Sequence, residues 1–273
     1  MVIKKIGYVD VHAHLTHERF SNDLPEVIRK AEIKGLSQII VNGLHPQSNR
    51  QILELAKTYP IVKAALGIYP IEAVNSIIPE SSKLPFAVKR FDVDSEIAFI
   101  RTQAQLGNLT AIGECGLDAY WLGEETFKEQ ERVFCELVRV AKEFSLPLII
   151  HTRKLEQRSI AILTEQKVEK VDFHCFGGKP KHAIAAAEKF GWCFSIPANA
   201  RNSESFTKML SSLPLHCILT ETDCPYLAPI KGERSEPSDV VGTVSYLAEL
   251  RKITPAAAQE LVWNNYMRLF ENK

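Results

Sequence analysis

The chain has 273 residues, with 33 Lys+Arg against 33 Asp+Glu, 45% apolar residues and 24% charged ones. That balance is ordinary for a globular protein and excludes binding to nucleic acid along a broad basic face, while a local basic pocket stays open. No apolar run approaches the roughly 20 residues of a membrane span, and the apolar part of Met1–Gly7 is too short for a signal peptide.

Short β-type runs alternate with helical patterns along the chain. Strands are expected at Tyr8–Leu15, Gln38–Asn42, Lys63–Ile68, Thr110–Cys115, Pro147–Thr152, Val171–Cys175, Gly191–Ile196 and Cys217–Thr222, each rich in Val, Ile, Leu or Phe and ending in a turn former or polar residue. Between the third and fourth runs, Ile71–Val93 reads as a long loop with Pro79 and Pro85, the kind of loop that is usually functional or mobile. A helix is expected over Asp94–Leu106, opened by Asp-Ser-Glu, and a clearer one over Glu124–Phe144. Ser238–Arg251 and Thr254–Phe270 close the chain as helices, Thr254 capping the second with Pro255 at its first position.

Eight β-α units predict an α/β fold, a (β/α)₈ TIM-type barrel, with residues 1–273 as one domain. An open doubly wound sheet is disfavoured because no Gly-x-Gly-x-x-Gly follows the first strand. The six cysteines (Cys115, Cys135, Cys175, Cys193, Cys217, Cys224) contain no Cys-x-x-Cys pair. Scattered thiols in an enzyme-sized chain suit a reducing compartment, so the expected location is cytoplasmic.

His12, His14, Glu114, His151, His174 and Asp223 all fall at the C-terminal ends of predicted strands, the rim where barrel enzymes collect catalytic residues. His12 and His14 are two apart on a strand, so both imidazoles share a face. Asp10 shares it one step deeper, as a partner for an imidazole N–H or as a buried polar anchor. Glu114 has two oxygens and can bridge two ions, whereas an isolated buried carboxylate would tend to protonate. Singly, each histidine and Asp223 reads more simply as a hydrogen-bonded polar cap, and Glu114 as a structural salt bridge. Together, one or two divalent cations would satisfy all six, and mixed imidazole–carboxylate donors suit Zn²⁺ or Mn²⁺ better than Ca²⁺.

The motifs VDVHAHL, IGECGLD, IIHTR, HCFGG, ETDCPYLAP and the tail NNYMRLF, in that order, resemble the TatD family of metal-dependent hydrolases, within the wider amidohydrolase-like barrels. The resemblance covers nearly the whole chain. It implies a TIM-type barrel and hydrolysis assisted by one or two divalent metal ions (Zn, Mn or Mg), with deoxyribonuclease activity, often from the 3′ end, in the better-known members. Carried over by motif, His12, His14 and Asp223 would hold one metal, His151 and His174 the second, and Glu114 would bridge. Three departures bear on substrate: Tyr69 where the family often has histidine, a longer Ile71–Val93 loop, and Ser235-Glu236-Pro237 in place of Asn-Glu-Pro.

The expected reaction is two-metal hydrolysis of a phosphoester, at DNA ends or on a small phosphoester, with no membrane and no obligate protein partner. Asp223 is the expected base and Arg153 the expected phosphate clamp, against a plain rim salt bridge for the latter. Tyr69 offers a stacking face for a terminal base, or packs under the long loop. Lys231 and Arg234 are weaker phosphate contacts, more simply solvated loop charges. Strand alternation should turn Cys115 and Cys175 away from the metals. Two rivals remain: hydrolysis of an amide, lactone or carbonyl ester at the same centre, and a non-catalytic barrel scaffold.

Overall fold

In the computed structural model, which describes residues 6–79 and 82–271, the alternating pattern closes into a ring. The strands are β1 (Tyr8–Ala13), β2 (Leu36–Asn42), β3 (Val62–Leu66), β4 (Ala111–Asp118), β5 (Leu148–Arg153), β6 (Val171–His174), β7 (Cys193–Ile196) and β8 (Ile218–Thr220). They lie in sequence order in one eight-stranded sheet, each parallel to the next. Helical crossovers force this, because a parallel neighbour cannot be reached by a hairpin.

The ring shuts between the end of β8 and β1. Ala13 bridges to Cys224 in parallel, and the Asp223 and His14 N–H groups donate to the His12 and Cys224 carbonyls, each at 2.9 Å. Below them, Asp10 takes the N–H of His12 and both the N–H and the hydroxyl of Thr222. Asp10 is thus the buried anchor of this seam rather than a partner of an imidazole.

Outside lie α1 (Leu24–Ile33), α2 (Pro46–Thr58), the single turn α3 (Pro70–Ala73), α4 (Val93–Gln105), α5 (Phe127–Glu143), α6 (Glu156–Glu165), α7 (Pro180–Phe190), α8 (Glu204–Ser212), α9 (Val240–Arg251) and α10 (Pro255–Tyr266). In α5, Val133, Phe134, Leu137, Val138 and Ala141 form the buried stripe, the i, i+4 spacing that pins a helix to a sheet. Thr254 caps α10 as expected, accepting from the Ala257 N–H. The cap of α4 is Asp92, two residues before the expected Asp-Ser-Glu start, because its carboxylate reaches the Ser95 N–H.

Several boundaries differ from expectation, two of them at the site, and one loop has structure of its own. Strand β4 runs on to Asp118, paired residue by residue with β5; β8 is only three residues long. The segment 71–93 is not bare loop. It opens with α3, and Ile71 and Val74 pack with Leu122 into a small second core that also gathers Tyr69, Ile78, Leu84, Val88 and Trp121. Residues 80 and 81 of that segment lie outside the described residues. Among the described residues no helix is long and apolar enough to cross a membrane.

Candidate metal centre

The six strand-end residues meet at the C-terminal mouth. His12 Nε2 and His14 Nε2 are 3.1 Å apart. Glu114 Oε2 lies 3.2 Å from the first and 3.4 Å from the second, and Asp223 Oδ1 lies 3.7 and 3.2 Å from them. A cation with bonds of about 2.0–2.1 Å to tetrahedral ligands spaces them about 3.3 Å apart, and the separations among His12, His14 and Glu114 are close to that size.

The other oxygen of Glu114 faces a second group. Oε1 is 3.0 Å from His151 Nδ1 and 3.3 Å from His174 Nε2, and those two nitrogens are 3.2 Å apart. Three protein donors is the number that a cation site with an open position uses. Glu114 is 3% exposed and divides its oxygens between the groups. The donor set fits a divalent cation.

Local backbone explains the aim of these side chains. A Cβ on Gly67 would stand 2.2 Å from the Glu114 carbonyl, and one on Gly116, whose φ is +144°, 1.9 Å from that of His151; only glycine lets β3, β4 and β5 approach this closely. Asp223 itself adopts φ +52°, a left-handed conformation that Asp tolerates better than most residues and that carries its chain out of strand geometry at the seam.

Charge follows the geometry. Burial opposes ionisation of Glu114, yet His174, His12 and His151 hold its carboxyl well below the usual range. Asp223 is lowered too, against burial, by its His14 hydrogen bond. Burial likewise opposes protonation of three histidines, and carboxylates outweigh it: Asp223 and Glu114 raise His14, Asp118 and Glu114 raise His151, and Glu114 and Glu221 raise His174. His12 goes the other way, pushed down to about 3 by burial and by His174. The carboxylates thus draw positive charge into the cluster, as protons if not as a cation.

Several supporting residues were not foreseen. Asp118 Oδ2 accepts from His151 Nε2 at 3.0 Å, which leaves Nδ1 for the centre; reading β4 to its true end would have put Asp118 on the Glu114 face. His14 Nδ1 lies 3.2 Å from the Asn42 carbonyl, a main-chain contact with no sequence signal. Glu221 Oε1 is 3.8 Å from His174 Nδ1, and Ser195 Oγ links Glu221 to Asp172. Burial, with the charge of Glu221, pushes Asp172 up to about 8.

At the rim, the Arg153 guanidinium carbon sits over the Tyr120 ring, 3.4 Å from its centre, with Trp121 at 5.7 Å. Tyr69 is half-buried, its hydroxyl 3.4 Å from Asp118 and its ring edge-on to His151 and Phe86. Arg234 is no solvated charge: it forks onto Asp23 and Glu236, and Glu236 also holds Lys30. The Ser235-Glu236-Pro237 stretch therefore ties the loop after β8 to α1, whereas Lys231 is exposed. Cys115 is buried as expected. Cys175 follows β6 in a left-handed conformation, φ +42°, so strand alternation does not fix its direction; burial, with the charges of Glu221, Asp223 and Glu114, raises its thiol.

Residues 9–271 match the family model described as TatD related DNase. The human deoxyribonuclease TATDN3 is 32% identical, the match covering 97% of this chain and 95% of that one. The 3′-5′ ssDNA/RNA exonuclease TatD of Escherichia fergusonii is 26% identical over 96% of this chain and 98% of its own. The crystal structure of the TatD homologue YjjV from Escherichia coli K12 superposes with a TM-score of 0.82 at 23% identity, covering 97% and 98% of the two chains, and shares the barrel. The chain belongs to the TatD related DNase family.

Proposed function

We propose that this protein is a divalent-metal-dependent deoxyribonuclease that shortens single-stranded DNA from its 3′ end. The observation that carries the metal part is the division of Glu114, one oxygen toward His12 and His14, the other toward His151 and His174. In this proposal His12, His14 and Asp223 hold one cation, His151 and His174 the other, and Glu114 both; Zn²⁺, Mn²⁺ and Mg²⁺ are the candidates. DNA as substrate is supported by kinship with the human deoxyribonuclease and the bacterial exonuclease.

Bound cations supply Lewis acidity toward a phosphoryl oxygen and an acidified water. The chain's own residues do the rest. Asp223, anionic and 17% exposed, accepts the proton of the attacking water. Arg153, held over the Tyr120 ring, offers its N–H fork to a phosphate. Tyr69, partly exposed between His151 and Phe86, meets the terminal base. Neutral net charge suits a site that grips few phosphates at an end over one that wraps a duplex. The six cysteines are all unpaired, which supports a reducing compartment such as the cytoplasm.

The test is a time course on linear single-stranded DNA labelled at its 5′ end, beside a circular strand, with Mn²⁺, Mg²⁺ or Zn²⁺ added. Stepwise shortening of the linear strand with the circle untouched is expected. Cleavage of the circle overturns the terminal mode; cleavage of neither, with hydrolysis of a carbonyl ester, overturns the nuclease assignment.

A further inference from the structure

Two imidazoles of the centre, one from each donor group, lie face to face. The rings of His12 and His174 have centroids 3.8 Å apart and planes 8° apart. On one side their Nε2 atoms go to opposite oxygens of Glu114, at 3.2 and 3.3 Å. An imidazole that gives Nε2 to a cation carries its proton on Nδ1 and needs an acceptor there. Both Nδ1 atoms are buried with no hydrogen-bond partner among the described residues, an arrangement native interiors avoid.

A third buried atom without a partner is Glu221 Oε1. It is 3.8 Å from His174 Nδ1, and His12, His174 and Glu221 each bring a donor atom within 4.8 Å of the others. The remaining oxygen, Oε2, bonds to Ser195 Oγ, which is also 3.0 Å from Asp172 Oδ2. Ser195 Oγ thus anchors Oε2 and leaves Oε1 turned toward the two rings. By contrast, Asp118 touches His151 alone and the Asn42 carbonyl touches His14 alone among these rings.

We infer that Glu221 is a positioning residue common to both cation sites: its Oε1 takes the Nδ1–H of His174 and of His12, directly or across one buried water, so that the stacked rings are clamped between Glu114 and Glu221. An unpaired carboxylate buried without such a task is costly. This inference rests on the metal-centre reading above and adds a residue that holds no ion itself.

The experiment uses the full-length protein loaded with Zn²⁺. Calorimetric titration gives the affinity of each site in wild type, Glu221→Gln and Asp118→Asn, and ¹⁵N NMR of labelled histidines gives the tautomer of each ring. Glu221→Gln should weaken both sites, each by roughly 10–100-fold, and shift the Nδ1–H signals of His12 and His174. Asp118→Asn should weaken one site and leave His12 unmoved. Ser195→Ala, which leaves Glu221 and both rings in place, should give the same two-site loss in smaller measure, and serves if Glu221→Gln does not fold. Unchanged affinities, or a loss confined to one site, overturn the shared role. Outright loss of one ion makes Glu221 a ligand and overturns it equally. A wild type that binds no Zn²⁺ overturns the metal-centre reading instead.

Discussion

Asp118 Oδ2 lies 3.0 Å from His151 Nε2 while the opposite nitrogen of that ring, Nδ1, lies 3.0 Å from Glu114 Oε1. The acid therefore decides which nitrogen of His151 is offered to the centre. Asp118 also receives the N–H groups of Tyr120 and Trp121, contacts that Asn preserves. Asp118→Asn should thus keep the fold but lower ion affinity at the His151–His174 site about 10-fold or more. Metal content after dialysis against a graded chelator measures it.

Asp223→Asn separates chemistry from assembly. Asn keeps a coordinating oxygen and tolerates the left-handed backbone at this position (φ +52°), but it accepts no proton from water. Turnover should fall about 10²–10⁴-fold with a thermal midpoint close to wild type. Single-turnover rates on 5′-labelled DNA check the first part, and near-normal rates in a metal-replete variant would remove Asp223 as the base.

Acidity should act with opposite signs on stability and on ion uptake. His14, His151 and His174 are raised above the ordinary 6.5, so the stability they lend the stripped protein is complete below 6.5 and is lost as pH rises through their folded values. Glu114, ordinarily at 4.5, and Asp118 and Asp223, ordinarily at 3.8, are lowered; their contribution is present above those values and is lost as pH falls through the folded ones. His12, lowered to about 3, works against the other histidines. Chelator-treated protein should therefore melt highest between 4.5 and 6.5. Cation binding displaces the same protons, so affinity should fall as pH drops, beginning above 6.5. Melting curves and titrations across pH in buffers of different ionisation heat measure both.

Gly67→Ala should damage the centre from outside it. The added methyl would stand 2.2 Å from the Glu114 carbonyl, and overpacking of this kind costs about 1–3 kcal/mol. A lowered thermal midpoint together with reduced metal content is expected. Loss of stability with a full complement of ions would show that β4 yields without moving Glu114.

Arg153→Lys keeps the positive charge but loses the planar fork stacked on Tyr120. KM for single-stranded DNA should rise roughly 10-fold, as expected for one charge-assisted contact of about 1.5 kcal/mol, with kcat little changed. Tyr120→Leu should reproduce part of that rise. Equal losses in kcat would instead place Arg153 at the reacting phosphate.

Much of this architecture was legible because the signals were local. Runs of four to eight apolar residues with helical spacers encode a barrel, and the six candidate ligands stand where those runs stop. Legibility failed where tertiary contacts decide. Whether β4 ends at Cys115 or Asp118 depends on pairing with β5. The roles of Glu221, Asp172 and Ser195 depend on three strands meeting inside the ring. Arg234 looks like a loop charge until Asp23, far away in the chain, is brought beneath its fork.

The seam between the first and last strands has a mechanical consequence. His12 and Asp223 flank the one junction of the ring that no covalent crossover closes, which α9 and α10 cover from outside, and they share a single donor set. A cation held there would be a crosslink between the two ends of the barrel, closing the loop from His12 to Asp223 as a disulfide would, but reversibly. Chelation would unfasten the ring at this junction first, leaving β1 and the segment after β8 as the earliest parts to exchange their amide hydrogens.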